Sequence, residues 1–116
     1  MAARVVFAFG SRSWTNGGLM AHVLKELAST CTELWTGDAR GADRLALAWA
    51  SGRRWPTRRY DADWNTEGRS AGAKRTQRLI SDLPRDAVCV GFVDSNCPPA
   101  EQLLEARGIR SACQQG

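Results

Sequence analysis

The residues with the clearest chemistry lie together in Thr36-Gly37-Asp38-Ala39-Arg40-Gly41-Ala42-Asp43. Gly37 and Gly41 bracket a short polar insert, so the backbone can turn sharply and bring its N–H groups against an anion with no Cβ in the way. Arg40 adds a planar, permanently charged fork that matches phosphate oxygens. Asp38 and Asp43 are acceptors suited to ribose hydroxyls or to a helix cap. That combination is the build of a phosphate-binding turn. Taken alone it is equally a tight strand-to-helix turn in which Asp43 caps the helix and Arg40 is solvated, because a glycine-rich turn without context is weak evidence.

Three further polar stretches follow the same logic: Gly10-Ser11-Arg12-Ser13-Trp14, residues 61–68 around Asp63 and Trp64, and Asp94-Ser95-Asn96-Cys97-Pro98. Each follows an apolar, β-branched or aromatic run. The runs 4–9 and 87–93 read as strands buried on both faces, 31–35 as a second strand, and 55–60 as a third. Arg58 and Arg59 place that third strand at an edge, where charge discourages pairing with another chain. Helices are predicted over 19–27, over 44–51 with Gly52 as its stop, over 70–82 with a stripe of Ala73, Leu79 and Ile80, and over 99–107. A short strand is expected over 109–113, with 114–116 frayed. Strands alternating with helices give an α/β fold, a single Rossmann-like three-layer domain over 1–116 with an open, mostly parallel sheet of about five strands. In such a sheet ligands sit beyond the carboxyl ends of the strands, and all four polar stretches fall on that edge. Independent structural turns have no reason to be uniformly rich in Gly, Ser, Asp and Arg, so their convergence favours a ligand site over turns alone.

Composition narrows the classes. The chain has 116 residues, 43% hydrophobic and 24% charged, as expected of a soluble globular domain. Only five apolar residues separate Arg4 from Gly10, too few for a signal-peptide core or a membrane helix, so a cytoplasmic protein with no membrane partner is expected. The four cysteines form no CxxC pair and His22 is the only histidine, which argues against zinc and for reduced thiols. The net charge of +4 is concentrated between Arg40 and Arg78, where ten basic residues face four acidic ones. Fourteen of the sixteen basic residues are arginine, which suits forked recognition of phosphate. Neither GxGxxG after the first strand nor GxxxxGK[ST] is present, which argues against NAD dehydrogenases and P-loop enzymes.

With those residues in hand, the chain resembles the YspA/YpsA-related branch of the SLOG superfamily, Rossmann-like proteins grouped with the lonely-guy phosphoribohydrolases and the DNA-processing protein A family. The residues that carry the resemblance are Gly10-Ser11-Arg12, Gly37-Asp38-Ala39-Arg40-Gly41-Ala42-Asp43, Ala62-Asp63-Trp64, and Ala71-Gly72 with Arg75. It spans roughly residues 4–110. The resemblance implies a site for a nucleotide or an ADP-ribose-like derivative, often in a homodimer. Two departures stand out. Thr76 follows the helix arginine where the family commonly has asparagine. Pro98-Pro99 and Gln102 stand where the phosphoribohydrolases carry Gly-Thr and the catalytic glutamate, and a glutamine cannot act as a base. Glu101 stands next to it.

Three functions are therefore expected in descending order. The first is a sensor or sequestering module for a phosphorylated nucleoside, with no cofactor. Its ligand contacts are Gly10, Ser11, Arg12, Gly37, Asp38, Ala39, Arg40, Gly41, Asp43, Trp64, Gly72, Lys74, Arg75, Ser95 and Asn96. Arg12, Arg40, Lys74 and Arg75 would take phosphates, and Trp14 or Trp64 a base, although either tryptophan is equally a core residue. The second is an N-glycosidase using Asp38, Asp43, Asp94 or Glu101, with no residue singled out as catalytic. The third is single-stranded nucleic-acid binding by the basic middle, ranked last because the sequence shows no interleaved aromatic and basic stripe.

Overall fold

The strand at the centre of the sheet shows how the sequence builds the molecule. In β1 (Arg4–Gly10) every residue from Val5 to Phe9 is buried. Successive side chains leave a strand on opposite faces. Val6 and Ala8 accordingly pack with one apolar cluster, and Val5, Phe7 and Phe9 with another. The first cluster is completed by α1 (Gly17–Leu27) and α2 (Ala42–Gly52), the second by α4 (Ala71–Asp82) and by Leu104 and Ile109. Helices therefore cover both faces of the sheet. In this computed structural model the described residues are 4–94, 104, 108–109 and 111–115.

The remaining strands are β2 (Cys31–Gly37), β3 (Thr57–Tyr60), β4 (Val88–Val93) and β5 (Ser111–Gln115). All neighbours pair in parallel, in the order β3-β2-β1-β4-β5. The order reverses between β1 and β4, and a crevice opens beyond the carboxyl ends of strands at such a point. No helix among the described residues is long and apolar enough to cross a membrane.

Several local expectations are revised. Residues 61–68 are not all loop: α3 (Trp64–Glu67) forms a single turn because the Asp63 carboxylate accepts the Thr66 N–H at 3.2 Å, a capping bond too local to leave a hydrophobic period. The C-terminal glutamines are paired rather than frayed, Gln114 with Phe92 and Gln115 with Val93, because an adjacent strand outweighs weak β propensity. Gly52 ends α2 as expected, as its last residue, and the left-handed turn beyond it falls on Arg54, at φ 61°. On α4 the buried stripe is Ala71, Arg75, Leu79 and Ile80, with Ala73 exposed. The helix predicted over 99–107 lies outside the described residues except for Leu104, which is helical and buried.

Candidate functional site

The turn after β2 is built on two close approaches. Gly41 sits at φ 74° and ψ −122°, and a Cβ there would lie 2.4 Å from the Ser11 carbonyl oxygen. Only glycine adopts that backbone without strain and leaves that space. The same Ser11 oxygen accepts the Ala42 N–H at 3.1 Å, docking the start of α2 onto the loop after β1. Gly37 serves a different purpose: a Cβ there would lie 2.6 Å from Asp43 Oδ2 and 2.8 Å from the Arg75 guanidinium. Its missing side chain lets the guanidinium lie against the turn.

Arg75 is 7% exposed, the central member of the buried stripe on α4. Its Nη1 donates to Asp38 Oδ1 in a close ion pair, and its Nε donates to Thr76 Oγ1 at 3.2 Å. The other oxygen of Asp38 accepts the Ala62 N–H at 3.1 Å. One carboxylate therefore ties the turn after β2 to α4 and to the segment after β3. Thr76, at the position where the family commonly has asparagine, donates back to the Gly72 carbonyl at 3.0 Å.

Asp43 does not cap α2, whose N-cap is Gly41. It is buried beneath the turn, 6% exposed, and accepts the Ala39 N–H at 3.3 Å. Burial pushes its carboxyl up from 3.8 to about 6, against the opposing pull of Arg75 and of the Ala39 N–H. The Arg75 guanidinium beside the turn favours the ionised form of Asp43, but the cost of burying that charge outweighs it.

Above this base lies a cleft of about 340 Å³ walled by Arg12, Ala39, Arg40, Arg44 and Trp64, with Asp38 and Arg75 at its base. Arg12, Arg40 and Arg44 are exposed and have no ion-pair partner among the described residues. Trp64, on α3, is 49% exposed, and the Arg12 guanidinium carbon lies 5.9 Å from its ring centroid. Gly72 lies under the indole, its Cβ position 3.5 Å from Trp64 Cη2.

The other named residues divide as follows. Gly10 and Ser11 join β1 to the end of β4, where the Ser11 N–H donates to the Phe92 carbonyl at 2.9 Å. Asp94 belongs to the same corner. It accepts from the Ser13 hydroxyl, which holds its carboxyl below the usual carboxylate range, and its N–H donates to Ser11 Oγ at 3.3 Å. Trp14 is a core residue, 2% exposed and 5.6 Å from the Phe92 ring, so no base can reach it. Lys74 lies apart from the cleft, exposed and 4.0 Å from Glu67. Ser95, Asn96, Glu101 and Gln102 lie outside the described residues. Arg44 escaped the reading of the sequence. Its signal was its place in the first turn of the helix that leaves a glycine turn, where a side chain reaches back toward the sheet edge.

Comparison with known proteins places this architecture. No curated protein and no solved structure matches the chain significantly. Residues 3–66, more than half of its length, match the YspA, cpYpsA-related SLOG family. That match takes in the loop after β1, the Gly37–Asp43 turn and Trp64, and by it the chain belongs to the YspA, cpYpsA-related SLOG family.

Proposed function

We propose that this protein binds a nucleotide or nucleotide derivative in the cleft above Asp38, as a sensor or sequestering module rather than as an enzyme. The observation that carries the reading is the group of three exposed arginines, Arg12, Arg40 and Arg44, facing one cleft beside a half-exposed tryptophan. Guanidinium groups without acidic partners bind phosphate oxygens in a forked, charge-assisted way. An exposed indole offers a face for a base. Membership of the SLOG family agrees with a nucleotide-related role.

The carboxylates favour binding over catalysis. Both oxygens of Asp38 are engaged, by Arg75 and by the Ala62 N–H. Asp43 lies buried under the turn, and Asp94 is held by Ser13. A group that activates water or stabilises an oxocarbenium-like state must reach the sugar, and these three are committed to holding the loops. Calorimetry against AMP, ADP-ribose, cyclic ADP-ribose and NAD tests the reading. Binding by at least one, weakened about tenfold or more in Arg40→Ala, is the expected result. No heat from any of them refutes it, and release of free base during the titration refutes the choice of binding over hydrolysis.

A further inference from the structure

The groups that face the buried Asp43 carboxyl come from three elements. From β2 comes the Thr36 hydroxyl, itself fully buried, whose one proton is donated to the Ala8 carbonyl at 2.8 Å. From the turn come the Asp38 carboxylate and the Ala39 N–H, which donates to Asp43 Oδ2 at 3.3 Å. From α4 comes Arg75, whose hydrogen bonds go to Asp38 and Thr76 and whose charge reaches Asp43 through space. An ionised Asp43 therefore leans on the Arg75 guanidinium and the Ala39 N–H. Arg75 and Ala39 also bound the arginine cleft. An anion entering that cleft is drawn to the same two residues and meets Asp38 and Asp43 as like charges. It also shuts water away from the turn, which disfavours a charge on Asp43 further. With Asp43 ionised, two carboxylates and one guanidinium leave one net negative charge under the cleft. With Asp43 protonated, Asp38 and Arg75 balance, and the charge of Arg12, Arg40 and Arg44 above them stands unopposed.

We propose that the cleft takes up its anionic ligand together with one proton, held by Asp43, so that the site loads in mildly acidic solution and releases as the solution turns alkaline. This rests on the nucleotide reading of the cleft and adds its regulation. Linkage makes the effect reciprocal: whatever factor protonation adds to ligand affinity, the ligand adds to proton affinity. Burial already pushes the free Asp43 carboxyl up to about 6. Affinity is therefore greatest below that pH and falls as Asp43 ionises above it. His22, which ordinarily titrates in the same range, is exposed on α1 beside Glu26 and does not line the cleft.

Calorimetry on the whole chain with ADP-ribose and NAD tests the proposal. Their bridging diphosphates carry no proton that titrates near neutrality, unlike a terminal phosphate with its pKa of about 6. At least one of the two is expected to bind about tenfold more tightly at pH 5 than at pH 8. Repeating the titration at pH 6.5 in buffers of different ionisation heat should show proton uptake, up to one per ligand. Both effects should vanish in Asp43→Asn, which is neutral throughout, and persist in His22→Gln. Should Asp43→Asn fail to fold, carbon-13 NMR of the unaltered protein still decides: the titration midpoint of the Asp43 carboxyl must rise when ADP-ribose or NAD is bound. Binding that is equal at both pH values, or that takes up no proton, overturns the proposal while leaving the nucleotide cleft standing. Uptake that survives Asp43→Asn, or is lost in His22→Gln, overturns it too, because the proton then sits elsewhere. If neither ligand binds at any pH, and AMP does not either, the nucleotide reading fails and the proton linkage with it.

Discussion

Replacing Arg75 with methionine removes the one buried cation among the described residues while keeping an apolar stem between Ala71 and Leu79 on α4. The Asp38 carboxylate then loses its ion-pair partner. Breaking a buried pair from one side costs about 3–5 kcal/mol. Asp38 retains the Ala62 N–H and its side chain is 26% exposed, which sets the expected loss near the lower end, about 3 kcal/mol. In a domain of this size that corresponds to a fall in Tm of roughly 15 °C.

The loss also depends on pH, and Asp43 supplies the sign. Its folded pKa of about 6 lies above the ordinary 3.8, so the protonated form is the one that folding favours. The stability it contributes is complete below pH 3.8 and is lost as pH rises through about 6. At about 1.4 kcal/mol per pH unit the loss is about 3 kcal/mol in the unaltered protein. Arg75 opposes this by stabilising the ionised carboxylate. Without it the folded pKa climbs further, the loss deepens, and its window moves toward neutral pH. The deficit of Arg75→Met is therefore larger at pH 7.5 than at pH 5, where Asp43 is protonated in both proteins. Urea unfolding followed by tryptophan fluorescence at the two pH values measures it. In the background of Asp43→Asn the pH dependence of the deficit should vanish. A deficit under about 1 kcal/mol, or one equal at both pH values, refutes the account of Arg75 as shared countercharge.

Three other outcomes are expected. Gly41→Ala forces a Cβ to within 2.4 Å of the Ser11 carbonyl at a φ of 74°, and chemical denaturation should show a loss of at least about 2 kcal/mol together with weakened nucleotide binding. Arg54→Gly relieves an exposed left-handed residue at φ 61° and should gain about 1 kcal/mol in the same assay. Trp64→Ala removes a side chain that is 49% exposed. It should leave Tm nearly unchanged yet weaken nucleotide binding by about 1–3 kcal/mol, the worth of one base stacked on an aromatic ring.

Much of the architecture was legible in the sequence because period and punctuation are local. The apolar run of Val5 to Phe9 and its stop at Gly10, the stripe Leu19, Met20, Val23, Leu24 and Leu27, and the charged pair Arg58 and Arg59 each pointed to the right element, and β3 does lie at an edge. The glycine turn was legible for the same reason, since a close backbone approach demands a residue without Cβ.

Which charged side chains stay free was not legible, because that depends on residues distant in sequence. Arg75 and Arg40 are the same residue type in the same basic stretch. The first is buried against Asp38, 37 positions away, and the second is exposed at the cleft. Asp38 and Asp43 read alike as ribose acceptors. The fold uses one as a three-way tie and buries the other, with a proton held to about pH 6. Trp14 and Trp64 read alike as base platforms. Packing against Phe92 removes the first, and the single turn of α3 lifts the second into the open. The sequence by itself determined the α/β order, the polar carboxyl edge and the tight glycine turn, all of which follow from neighbours in the chain. Only the tertiary structure decided which arginines face the cleft, because a charge is committed or left free by the partner that folding brings to it.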